Sequence, residues 1–382
     1  MSGFSTTATM PNTKAFNLKS EILPFQNTAS LCEYLQVGEN DLVLIDGHIS
    51  SPFIKESISG ARVIVRSEYG NTQNTSEVLT QIATDAGAAY NRVIGIGGGK
   101  VMDTAKILAL ESIDTDDFLE APEAERNKAH ELILIPTTIG SGSEVTPYSA
   151  LFYPSIGVQI IVSTEALCAD RVLLCPELLE EVPFNVIAAG SFDAFNHACE
   201  SFMSPRATSM SRIMAEKAIS ILIKIWKEIA KHGTGSLKKD LEQLQLAGTY
   251  AGISYANAGS ATVNAIAYPL TIRLNIPHGE ACYLAFSKVM EFYDRKEHSK
   301  AFEDLKTLVH VQLKEDKSRV FAAIDSLCNS IIAKKRLSEY GMGKKQIIAF
   351  TDLVTSRKNM LLQNSFDQLS VGEISDIFSE LL

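Results

Sequence analysis

Asp193 and His197 stand four residues apart in Gly190-Ser191-Phe192-Asp193-Ala194-Phe195-Asn196-His197, with Glu200 further along. On a helix this spacing puts a carboxylate and an imidazole on one face, where they can grip one divalent ion. The same pattern also occurs as a plain surface ion pair. Here the neighbours Ala188, Ala189, Ala194 and Ala198 are small and apolar, which favours a buried face. His278 is pinned between Pro277 and Gly279, so its backbone is tightly specified, as suits a ligand; a turn histidine with no role is the alternative.

Two further segments could hold an anionic cofactor. Gly97-Gly98-Gly99-Lys100-Val101-Met102-Asp103 lies between an apolar run and a helical pattern. Glycines at such a junction let backbone N–H groups approach a phosphate, and the helix N-terminus adds its dipole. The turn is neither a P-loop, which would need Ser or Thr where Val101 stands, nor a G-x-G-x-x-G, which would need Gly where Lys100 stands. Thr137-Thr138-Ile139-Gly140-Ser141-Gly142-Ser143-Glu144 is a second small, polar segment after an apolar run. Ligands favour the crevice outside the carboxyl ends of parallel strands. Asp46 ends another such run. It could accept from adenosine ribose hydroxyls and repel a 2′-phosphate, favouring NAD over NADP, or simply form the turn before Gly47.

These segments need a scaffold. Residues 42–45, 61–65, 92–96 and 132–135 are short, nearly continuous apolar runs that predict parallel strands buried on both faces. Helical patterns at 76–86 and 101–110 alternate with them, which implies a parallel α/β sheet. After about Pro183 the strand signal ends. Ile219, Leu222, Ile223, Trp226 and Ile229 mark a helix closed by His232-Gly233, and helical spacing continues through 241–255 and much of 301–360. The fold expected is α/β plus all-α: a Rossmann-like domain over residues 1–182 and a helical domain over residues 183–382.

A chain of 382 residues suits two domains, and 46% hydrophobic residues suffice for a large core. A net charge of −10 argues against coating nucleic acid or an anionic membrane. The six cysteines form no C-x-x-C pair, and residues 1–19 lack the apolar run of a signal peptide. A cytoplasmic protein with reduced thiols is expected. His48, His130, His232, His298 and His310 sit in loops or charged segments and suggest no role.

Taken in order, Gly97 to Lys106, Ile135 to Thr146, the Asp193/His197 segment and Pro277-His278-Gly279 resemble the iron-containing (group III) alcohol dehydrogenases, over roughly residues 40–290. The resemblance implies NAD and one divalent metal, iron or zinc, in a cleft between the domains, and a homodimer. It implies that Gly97, Gly98 and Gly99 hold the pyrophosphate with Asp103 beside them. Thr137, Thr138 and Ser143 would line the nicotinamide side, and Asp193, His197 and His278 would bind the metal.

There are departures. The family's H-A-x-A-H-P-L segment reads Asn264-Ala265-Ile266-Ala267-Tyr268-Pro269-Leu270. Asn264 therefore replaces a metal ligand, Tyr268 replaces a proton-transfer histidine, and Gln159 stands where a lysine near the ribose is usual. Within the family this cast implies a sugar-acid substrate, the C8 primary alcohol of 3-deoxy-D-manno-octulosonate, with Arg273 a candidate to reach its carboxylate. Simple alcohols, a dehydroquinate-synthase-type lyase reaction and a non-catalytic binding role are the alternatives.

Overall fold

The computed structural model describes residues 15–70, 73–296, 299–356 and 360–382. The strands are β1 (Glu21–Pro24), β2 (Asp41–Ile45), β3 (Arg62–Val65), β4 (Arg92–Gly97), β5 (Glu131–Pro136), β6 (Tyr148–Tyr153), β7 (Val158–Ser163) and β8 (Arg171–Leu174). Six of them form one sheet in the order β1-β8-β5-β4-β2-β3, with every pairing parallel. The central strands are covered on both sides. Leu42, Leu44, Leu132 and Leu134 face one apolar layer, while Val43, Ile45, Ile133 and Ile135 face the other. Strands buried this way cannot show polar alternation, which is why they read as unbroken apolar runs.

All four expected strands are present. β1, β8 and the antiparallel β6–β7 hairpin were not anticipated, for identifiable reasons. β1 is an edge strand that carries Glu21 and ends in Pro24, where a missing backbone donor costs nothing. In β6, buried and half-buried positions alternate, and Ser149 and Ala150 dilute its apolar signal.

Helices dominate from Phe184 onward. Phe184–Met203 packs against Ser209–His232, Leu241–Ala258 and His278–Asp294 around a core that includes Trp226, Phe192, Phe195 and Phe286. Ser209–His232 starts at a Thr208–Ser211 capping box and ends at Gly233. Two glycines allow the closest approaches. A Cβ at Gly279 would collide with the Ala189 carbonyl, and one at Gly190 with the Ile139 carbonyl. These contacts draw the His278 helix and the loop after β5 onto the Asp193 helix.

All six cysteines are free. Among the described residues, no helix is long and apolar enough to cross a membrane. His298 lies outside the described residues.

Candidate active site

The glycine turn joins β4 to the Gly99–Leu108 helix. That helix begins without a side-chain cap at Gly98, so its first N–H groups and dipole are available to an anion. The glycines also make room. A Cβ at Gly97 would meet Val101 and Asp46, one at Gly98 would lie 3.0 Å from Thr138 Oγ1, and one at Gly99 would lie 2.9 Å from Ser141 Oγ. Asp46 Oδ2 accepts the Gly98 N–H at 2.9 Å, so this carboxylate braces the turn as well as ending β2. Thr137 is fully buried, and its hydroxyl has no hydrogen-bond partner.

Asp103 and Ser143 meet directly. Ser143 Oγ donates to Asp103 Oδ1 at 2.5 Å, and Ala150 N–H donates to Oδ2 at 3.0 Å. Lys106 is wholly buried beside them, donating to the Tyr148 carbonyl at 2.7 Å and to Thr146 Oγ1 at 3.1 Å. Burial pushes its ammonium pKa down to about 8, against the opposing pull of Asp103 and Glu144. Burial likewise pushes the Asp103 carboxyl up. This buried group fastens the glycine-turn helix to the β5 loop, a role that the sequence did not reveal.

On the helical side, Asp193 is the hub. His197 Nε2 lies 3.7 Å and His278 Nε2 3.8 Å from Asp193 Oδ1. Cys282 Sγ lies 3.9 Å from the same oxygen and 3.8 Å from His278 Nε2. Among the described residues, the acidic, imidazole and thiol groups whose ligand atoms all fall within 4.8 Å of one another are Asp193, His278 and Cys282. His197 stands at the flank of this set. Its Nδ1 lies 3.2 Å from the Gly140 carbonyl, which can only accept, so Nδ1 donates and Nε2 is turned towards Asp193. Its ring stacks on Tyr255 at 4.5 Å and 7°. Burial lowers the His278 pKa and outweighs the attraction of Asp193, which keeps the imidazole neutral, as a metal ligand must be.

Cys282 went unnoticed in the sequence. Its signal was available: it follows His278 by four residues on one helix, the same spacing that drew attention to Asp193 and His197. Glu200 takes a different part from its two neighbours. Its carboxylate accepts Val263 N–H at 2.6 Å, Ala261 N–H at 2.8 Å and Asn264 Nδ2 at 2.8 Å. This fixes the Asn264 amide with Oδ1 turned to His278 Nε2, 3.0 Å away. The Tyr268 ring lies 5.4 Å from His278. Burial, reinforced by Asp193, pushes its phenol further above its ordinary pKa, so Tyr268 is a proton donor before it is a base.

One cavity of about 210 Å³ connects the two sides. Lys100, Asp103, Ser141 and Ser143 line it from the glycine turn and the β5 loop; Asp193, His197, Asn264, Tyr268 and His278 line it from the helices. Gln159 also faces it. Arg273 is exposed at the end of the Thr262–Leu274 helix, beside Gly157 of the β6–β7 turn, and does not line the cavity.

A parallel sheet with a glycine turn at its carboxyl edge, facing a helical body with clustered metal-type ligands, defines a nucleotide-linked, metal-assisted enzyme class. Comparison with known proteins is decisive on the family. "Iron-containing alcohol dehydrogenase" matches residues 25–176, and "Fe-containing alcohol dehydrogenase family, C-terminal" matches residues 187–382. A 4-hydroxybutyrate dehydrogenase of Clostridium kluyveri is 31% identical over 373 residues, covering 96% of this chain and 100% of that one. A 1-propanol dehydrogenase of Salmonella typhimurium is 29% identical, covering 70% and 73%. The fold matches the crystal structure of a sulfoacetaldehyde reductase from Bifidobacterium kashiwanohense in complex with NAD+, with a TM-score of 0.82, 19% identity and coverage of 96% and 98%. The chain belongs to the iron-containing alcohol dehydrogenase family and is an oxidoreductase.

Proposed function

We propose that the protein is a metal- and NAD-dependent dehydrogenase that oxidises the terminal primary alcohol of a hydroxy acid to an aldehyde. The observation that carries this reading is one cavity lined by Lys100 and Asp103, which follow the glycine turn, on one side and by Asp193, His197 and His278 on the other, with Cys282 buried behind them. The donor set suits a divalent transition metal, and the uncapped helix N-terminus at Gly98 offers backbone N–H groups to a pyrophosphate. In this reading residues 1–182 hold the dinucleotide, residues 183–382 hold the metal, and the homodimer implied by the resemblance is retained.

When bound, the metal supplies Lewis acidity to an alcohol oxygen, and NAD accepts the hydride. The chain supplies position and charge. Asp193, His197 and His278 are the ligands in this reading, and Gly97, Gly98, Gly99 and Asp46 hold the cofactor. Asp103, Thr137, Thr138 and Ser143 shape its nicotinamide side. Asn264 and Tyr268 flank the reacting carbon; Tyr268 holds its proton at Oη, ready to donate in the direction of aldehyde reduction.

Two hydroxy acids fit this description. 4-Hydroxybutyrate is the substrate named for the relative that matches almost the full chain. The C8 alcohol of 3-deoxy-D-manno-octulosonate, a lipopolysaccharide sugar acid, is the second, supported by the changed polarity at Asn264 and Tyr268. The cavity is small beside ordinary ligand pockets of roughly 300–1,000 Å³, which favours the four-carbon acid. Turnover of both acids, butanol and ethanol by metal-loaded protein, followed by NADH absorbance, tests the proposal. The four-carbon acid should be oxidised fastest. A higher kcat/KM for butanol or ethanol than for either acid would remove the hydroxy-acid reading, and product formation without NADH would indicate a lyase.

A further inference from the structure

We propose that the Cys282 thiolate is a direct metal ligand, completing with Asp193, His197 and His278 a mixed oxygen–nitrogen–sulfur centre that selects zinc. This deepens the reading above and rests on its claim that the cluster binds a metal.

Geometry is the first argument. A tetrahedral zinc ion with Zn–N and Zn–O near 2.0–2.1 Å and Zn–S near 2.3 Å holds its donors about 3.4–3.6 Å apart. The three separations among Asp193 Oδ1, His278 Nε2 and Cys282 Sγ are 3.8, 3.9 and 3.8 Å, almost equal and a little wider than those values, so the donors close slightly on the ion. An octahedral centre of oxygen and nitrogen would need adjacent donors about 3.0 Å apart, from bonds near 2.1 Å. The triangle is therefore wide enough for a tetrahedral ion with one sulfur, and binding it takes His278 Nε2 from its present partner, Asn264 Oδ1 at 3.0 Å.

Substitution is the second argument. Asn264 occupies the position of a histidine expected from the sequence pattern and has no imidazole to offer. Its amide nitrogen is committed to Glu200, which also accepts two backbone N–H groups of the same segment. The chain has thus given up one nitrogen donor and placed a sulfur donor in the same cluster. Cys282 is fully buried one turn after His278 on the same helix. His197 lies outside the compact set, but its Nε2 is turned to Asp193 Oδ1 from 3.7 Å, where it serves as the fourth ligand.

Chemistry is the third. As the S–Zn bond forms, the S–H bond breaks and its proton leaves to solvent; no oxidant is required. The Asp193 carboxylate and the Cys282 thiolate would then balance the dication, and a substrate oxygen would expand the four-ligand centre to five-coordinate. A thiolate favours zinc over iron(II) among the metals available to such sites.

The test is X-ray absorption at the zinc edge on full-length protein loaded with one equivalent of zinc. One sulfur scatterer at about 2.3 Å beside oxygen and nitrogen at 2.0–2.1 Å is expected. Cys282→Ser should lose that shell and bind zinc roughly 100-fold more weakly, while Cys199→Ser keeps both shell and affinity. The cobalt(II) form gives a second readout. Its near-ultraviolet sulfur-to-metal charge-transfer band should be present in the parent and absent in Cys282→Ser. A bound, hydride-transferring zinc enzyme with only oxygen and nitrogen neighbours would overturn the ligand assignment and leave the proposed function standing. Failure of the parent protein to bind any divalent metal would overturn both. Because the absorption spectrum of the parent decides the question, a misfolded variant does not blunt the test.

Discussion

The glycine turn and the Asp193–His278–Cys282 cluster bound one cavity from opposite sides, the first through Lys100 and the second through Asp193 and His278, yet they are built in opposite ways. The turn is local: Gly97, Gly98 and Gly99 are contiguous, set by the end of β4 and the start of the next helix. The cluster is assembled from two helices, with Asp193 on one and His278 and Cys282 on the other, and Asn264 reaching in from a third. A local device tolerates distant change. An assembled one depends on every packing contact that sets the distance between its helices.

The comparison can be broken first at the hub. Asp193→Ala and His278→Ala should each weaken metal binding by at least roughly 100-fold, read as metal content after dialysis, while NAD affinity by calorimetry stays within a few-fold. Full metal occupancy in both variants would show that the cluster is not the metal site.

Gly279→Ala probes the assembly without touching a ligand. Its methyl group collides with the Ala189 carbonyl, so the two helices must separate or the chain must strain. A loss of about 1–3 kcal/mol in denaturant unfolding is expected, together with weaker metal binding. Unchanged stability and metal content would show that this approach does not set the site. Gly97→Ala is the contrasting change on the other side. Its Cβ meets Val101 and Asp46, and it should weaken NAD binding while leaving metal content intact.

Glu200→Gln should cost about 1–3 kcal/mol in stability, because one of the backbone donors loses its charged acceptor in a buried site. Thermal unfolding monitored by circular dichroism measures it, and a shift of less than one degree would contradict the bracing role. The smallest effect belongs to Asp46→Gly, which removes the acceptor of the Gly98 N–H and the negative charge beside the turn. NAD affinity should fall about tenfold while NADP affinity changes less. Calorimetry that finds the cofactor preference unchanged would assign Asp46 to the turn alone.

The same contrast explains what the sequence disclosed. β2 to β5 were legible because strands buried on both faces are written as apolar runs, and the helices because their apolar spacing is regular. β1 was not, since an edge strand of four residues with a Glu and a Pro carries no such signal. Among site residues, the glycine turn and Asp193 stood out by local spacing. Cys282 did not, because a buried cysteine on an apolar helix is usually a small hydrophobe and only the fold brings it to Asp193. The Asp103–Lys106–Glu144 group was equally hidden: a lysine at 0% exposure is visible only once the β5 loop closes over it.

The central claim is that hydride transfer needs both sides of the cavity at once. Its most direct measurement is NADH formation from 4-hydroxybutyrate by chelator-stripped protein titrated with zinc. The account predicts no NADH without metal and a rate that rises linearly to a plateau at one zinc per chain. An undiminished rate in the stripped protein, or a plateau that ignores the metal stoichiometry, would contradict it.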